Sequence, residues 1–175
     1  MAFLDSFSKD AKIFDVFASR PDVYEPFVRM VERVTRGDSP FTRGQRELMG
    51  AFVSSLNACS LCVDIHTRAA EAESVDPVAD DEKLAPVLAL LRKLTESPEK
   101  VVAADVDAVR AAGWDDDAVH DAVLIACIAG FMNRFVFGLG IEADDAYKEA
   151  AGLAVHDRGY QSRFRDRLEE QDAEE

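Results

Sequence analysis

The chain is short of basic residues, short of lysine above all, and it has no stretch of strict apolar–polar alternation long enough to make a strand. Twenty Lys and Arg stand against 34 Asp and Glu, so 20 − 34 gives a net charge of −14 and a sequence pI near 4.6. A phosphate backbone is held by a basic patch, so a nucleic-acid partner is excluded, and anionic membrane surfaces repel such a chain. No apolar run approaches the 18 or so residues of a membrane span. The first ten residues (MAFLDSFSKD) lack the basic flank and long apolar core of a secretory signal. The expected compartment is therefore the cytoplasm, where a CxxC points to redox chemistry rather than a structural bridge. Nothing repeats at a fixed period, and no linker divides the chain.

What is present is a folding sequence of unusual charge. Hydrophobic residues make up 48% and aromatics 9% of 175 residues, enough for one domain with a sizeable core. Only six of the 20 basic residues are lysine, and acidic clusters recur at 80–82, 115–117 and 144–145. This composition resembles that of extreme halophiles, in whose molar salt the Debye length falls to about 3 Å and self-repulsion is screened; the alternative reading is an acidic mesophilic protein.

Apolar spacing reads as helix nearly throughout, giving an all-α expectation. Helices are expected over 10–18, 22–34, 42–56, 59–73, 83–94, 105–112, 115–137 and 143–155. Pro21, the run 37–40 and an acidic, proline-bearing loop at 74–81 separate them. Ser97-Pro98 reads as a helix start, Gly113 as a C-cap and Asp115 as an N-cap. Residues 1–165 form the expected single domain, with a redox core at 42–73. The acidic tail, 166–175, is expected to fray. The helix through 118–137 is apolar on more than one face, which fits a central position or a covering subunit.

The chemistry concentrates between Glu47 and His66. Eleven residues separate Glu47 from Cys59, two separate Cys59 from Cys62, and three separate Cys62 from His66. A helix turns about 100° per residue, so Cys59, Cys62 and His66 share one stripe. Asn57 reads as the N-cap of a second helix folded back on the first. Glu47 and His66 then reach the same level of a two-helix hairpin, where the carboxylate orients the imidazole and the imidazole takes a proton from Cys62. A helix N-terminus and a nearby imidazolium both lower a thiol pKa.

These residues, with the run 54–70 (SSLNACSLCVDIHTRAA), resemble the alkylhydroperoxidase D (AhpD) core of the carboxymuconolactone decarboxylase superfamily. Residues 113–140 resemble the Asn-Arg helix of its peroxidase-related branch. The resemblance implies an all-helical protein that needs no metal, haem or flavin, draws on an external dithiol reductant, and assembles as trimers or hexamers. It implies that Cys62 attacks a hydroperoxide, that Cys59 protonates the leaving group and then closes a disulfide, and that His66 and Glu47 relay the proton. The expected function is thus a thiol-dependent peroxidase acting on hydrogen or organic hydroperoxides.

Other readings compete. The same thiols could exchange disulfides without peroxide. Cys59, Cys62, His66 and Glu47 are also acceptable zinc ligands in a purely structural interaction module, though only one cysteine pair is present. Lactone decarboxylation leaves the cysteine pair without a purpose. Cys127, inside an apolar run, reads as inert packing, and His120 and His156 as solvated surface. Asn133 and Arg134, polar residues in an apolar helix, must find hydrogen-bond partners, either in the site or in bracing.

Overall fold

Capping residues and prolines set the helix starts. Thr42 accepts from the amide of Gln45, whose side chain accepts from the Thr42 amide in return, a reciprocal cap that satisfies two orphan donors. Pro21 opens the second helix at its first position, and the Asp115 carboxylate accepts from the Ala118 amide. The computed structural model describes residues 2–74 and 82–174, so the loop expected at 74–81 lies almost wholly outside the described residues. Among these residues there are eight α-helices and no strand. They are α1 (Ile13–Ala18), α2 (Pro21–Arg36), α3 (Arg43–Leu56), α4 (Ser60–Ala72), α5 (Ala85–Glu96), α6 (Ala103–Ala111), α7 (Asp116–Leu139) and α8 (Asp145–Glu174).

Three expectations about the elements are corrected. Ser97-Pro98 starts only a single 3₁₀ turn, Pro98–Lys100, and α6 begins at Ala103, where Asp105 accepts from the Val102 amide. The last helix runs far past residue 155. It breaks at Gly159 (φ 75°) and continues as helical backbone through the acidic stretch to Glu174. By length and composition, α7 is apolar enough to cross a membrane, against the expectation that no segment could. Here it packs on α2, α3, α5 and α6, and such packing is how a protein core uses a helix apolar on most sides.

Antiparallel α3 and α4 form the centre of the molecule, with α8 laid on α4 and α7 on α3. One apolar cluster gathers Phe41, Met49, Leu91, Val109 and Trp114 among α3, α5, α6 and α7. A second surrounds both cysteines with Ile65, Ala69, Val136 and Val155. A third joins Phe17, Val28 and Phe164. Burial on this scale, at about 25 cal/mol per Å² of apolar surface, holds the α3–α4 hairpin from both sides. The site sits between the second and third clusters.

Candidate active site

The hairpin turn is built in three residues. Asn57 ends α3 as its C-cap, Ala58 takes the left-handed conformation (φ 56°), and Cys59 begins α4 as its N-cap. The Cys59 amide donates to Ser54 O and the Ala58 amide to Ser55 O, the paired bonds of a Schellman ending. Cys59 therefore belongs to both helices. The sequence reading of Asn57 as the N-cap is corrected by two residues. Asn57 instead donates its side-chain amide to Asn133 Oδ1 at 2.9 Å, and Asn133 donates to Ser54 Oγ at 3.0 Å. Asn133, fully buried on α7, thus clamps the turn. Arg134 is exposed and donates to Gly130 O of its own helix.

The four sequence-predicted residues come together. Cys59 Sγ and Cys62 Sγ lie 3.0 Å apart, both buried and unbridged. His66 Nδ1 lies 2.6 Å from Glu47 Oε2. Glu47 is only 4% exposed, and a carboxylate so buried needs partners. An ionised Glu47 can only accept, so Nδ1 carries the proton and Nε2 is the nitrogen left for the thiols.

Charge within the thiol pair falls on Cys59, not on Cys62 as the sequence reading had it. The Cys59 thiol is lowered to about 7 because the Cys62 thiol donates to it, the Cys62 backbone N–H donates as well, and Asn133 and His66 add to the effect. Cys62 is pushed up because its proton is engaged by Cys59 and because it is buried. The cause is positional: the Cys59 sulfur stands at the N-cap, beside the first-turn backbone and the positive end of the helix.

Two residues that sequence reasoning missed complete the arrangement. Tyr160 on α8 places its hydroxyl 3.3 and 3.4 Å from the two Glu47 oxygens. Burial first, then the Glu47 charge, raises its pKa well above the ordinary value of 10, so it stays protonated and donates. Gly50, one turn after Glu47, is the second. A Cβ there would stand 3.1–3.2 Å from three atoms of the His66 ring, so glycine makes room for the imidazole. Neither has a motif signature; only the spacing Glu47–Gly50 on one helix face hints at the second.

Cys62, His66, Gly50 and Tyr160 line an enclosed, largely apolar cavity of about 80 Å³. The other sequence-flagged residues stay outside it. Cys127 is exposed on α7 rather than packed inside, because that helix is apolar all round and its sequence does not reveal which face is covered. His120 is 72% exposed, and His156, partly buried, lies 3.2 Å from Glu73. Among the described residues no group of three or more His, Cys, Asp or Glu is arranged to hold a metal ion.

Comparison with known proteins agrees with this fold. The model of the carboxymuconolactone decarboxylase family matches residues 21–92, a span that includes Glu47, Cys59, Cys62 and His66. No curated protein matches significantly. An uncharacterized peroxidase-related protein from Silicibacter sp. TM1040 superposes with a TM-score of 0.73 at 22% identity, over 78% of each chain. An uncharacterized peroxidase-related protein from Ralstonia eutropha JMP134, described as an alkylhydroperoxidase AhpD core, superposes with a TM-score of 0.69 at 25% identity, again over 78% of each chain. The helical hairpin, the matched span and these neighbours agree: residues 21–92 carry the carboxymuconolactone decarboxylase family pattern, and the chain shares its fold with proteins described as peroxidase-related and AhpD-like.

Proposed function

We propose that the protein is a thiol-dependent peroxidase that reduces hydroperoxides through a Cys59–Cys62 disulfide cycle. The observation that carries this reading is the meeting of two thiols 3.0 Å apart with a buried Glu47 that holds His66 at one apolar cavity.

The cycle begins as His66, held by Glu47, takes one proton from the thiol pair, leaving a single negative charge on the two sulfurs. Cys62 passes its proton to the Cys59 thiolate as a hydroperoxide enters the cavity that Cys62 lines. The Cys62 thiolate attacks the distal peroxide oxygen; an S–O bond forms, the O–O bond breaks, and Cys62 becomes a sulfenic acid. Cys59 then protonates the departing alkoxide, which leaves as an alcohol. The regenerated Cys59 thiolate attacks the Cys62 sulfur, closing the disulfide and expelling hydroxide, which takes the His66 proton and leaves as water. An external dithiol restores both thiols. Tyr160 keeps Glu47 in place throughout.

Burial of both cysteines favours a small peroxide over a protein disulfide, which sets this reading above plain disulfide exchange. The exposed Phe131, Phe137 and Cys127 on α7 support assembly with further copies, as a trimer or hexamer, and the reading includes a reducing, cytoplasmic setting. The test is hydroperoxide consumption in molar KCl with a dithiol donor, wild type against Cys62→Ser. Turnover in the wild type that vanishes in the variant is expected; a wild type with titratable thiols and no turnover overturns the proposal.

A further inference from the structure

Two arginines reach the cavity beside Cys62, and their surroundings differ. Arg46 is satisfied by backbone carbonyls, with Nη1 on Val34 O and Gly37 O and Nε on Thr42 O. Arg163 is held more loosely. Its guanidinium lies over the Phe14 ring at 4.8 Å, makes a long bond to Ala151 O at 3.4 Å, and hydrogen-bonds the Tyr147 phenol. Phe14, Tyr147 and Arg163 also line a cleft of about 290 Å³ on the outer surface, so these three side chains form the wall between solvent and the inner cavity. The carboxylates of that cleft already have cations. Asp15 and Glu170 pair with Arg167, and Asp166 pairs with Arg158. Lys12 stands on the same side, over the Tyr147 ring. In a chain of net charge −14, a half-buried guanidinium between a charged outer cleft and an apolar inner cavity, ion-paired with no carboxylate among the described residues, is suited to an anion that arrives from outside.

We infer that this wall is the substrate entrance, and that the substrate is an apolar hydroperoxide bearing a carboxylate, which Arg163 binds while the hydroperoxide end reaches Cys62. This deepens the peroxidase reading and rests on it. Arg suits the task because its planar fork takes a carboxylate through two hydrogen bonds, and a partly desolvated site strengthens them. The cavity limits the apolar part. At roughly 10–15 Å³ per water-sized group, about 80 Å³ holds some five to eight heavy atoms, a short alkyl body rather than a long acyl chain.

The test uses a series of linear ω-hydroperoxy acids of four to eight carbons, each beside the alkyl hydroperoxide of the same length with a methyl in place of the carboxylate. The ratio of kcat/KM within each pair is measured at fixed ionic strength for the wild type, Arg163→Lys and Arg163→Met, with thermal melts to verify folding. At one chain length or more the wild type is expected to prefer the acid by at least tenfold. Arg163→Met should bring the ratio near one, and Arg163→Lys should keep part of it. A wild-type ratio near one at every length, or a preference that survives in Arg163→Met, overturns the inference. If no hydroperoxide is turned over, the peroxidase reading fails separately. Calorimetric binding of hexanoate and octanoate then decides: binding that Arg163→Met abolishes sustains the carboxylate site, and no binding to the wild type removes it.

Discussion

The hydroxyl of Tyr160 rests against the carboxylate of Glu47, 3.3 Å from one oxygen and 3.4 Å from the other, across 113 positions of sequence. Gly159 makes this contact possible. Its positive φ breaks α8, and Glu32 accepts from the Tyr160 and Gln161 amides that the break exposes. Tyr160→Phe is therefore expected to keep the fold and lower the rate of Cys62 oxidation by about tenfold, the lower end of what a hydrogen bond to a charged group contributes. The effect should fall on kcat and on the pH profile. An unchanged profile would remove Tyr160 from the relay.

The thiol pair sets a pH dependence with a definite sign. Cys59 titrates at about 7 in the folded chain against an ordinary value of 9.0, so between those values the unfolded chain binds more protons. Stability contributed by this group is present above about 9 and is lost as pH falls through about 7. Alkylation of the pair by iodoacetamide should follow a midpoint near 7. In His66→Ala and Glu47→Gln the midpoint should rise and attack on peroxide at pH 7 should slow by roughly 10²–10⁴-fold, the usual contribution of a positioned base. Stopped-flow oxidation and pH-dependent melts measure both.

Gly50→Ala tests how closely the imidazole is held. A methyl 3.1 Å from the ring forces His66 to give way by a few tenths of an ångström, enough to lengthen the 2.6 Å contact with Glu47. Activity should drop several-fold while helix propensity improves, since alanine stabilises a helix interior by roughly 0.8–1 kcal/mol over glycine. A melting temperature that holds or rises with reduced turnover is the expected pair of results. Undiminished turnover would mean that the ring tolerates displacement.

Salt should matter to the whole fold. With a charge of −14, moving from dilute buffer to molar KCl is expected to raise the melting temperature and solubility. Equal stability in both would leave the composition merely acidic.

Much of this site was legible in the chain before any coordinates. The Glu47–Cys59–Cys62–His66 spacing identified a hairpin because helical periodicity is a local property, and Asp115 marked a helix start through chemistry confined to one turn. Asn57 was misread for a physical reason: asparagine suits both the N-cap and the end of a helix, and the deciding residue, Ala58, takes a left-handed conformation that alanine does not advertise. Tyr160 could not be found because its partner lies on α3, and no periodicity links the two. Which thiol holds the charge likewise depends on which one begins α4. That single-residue detail lies within the ±1–2 residue ambiguity of helix ends.

The shared position of Cys59 has a consequence for how the protein could report its own oxidation. Its sulfur is both a reacting atom and the N-cap position of α4, where the nearby Cys62 backbone N–H favours its negative charge. Formation of the disulfide replaces that anionic sulfur with a neutral one, so the N–H loses its counterpart at the moment the sulfur changes state. Hydrogen–deuterium exchange at the opening turn of α4 should then quicken on oxidation and slow on reduction, making one peptide group an internal gauge of the cycle.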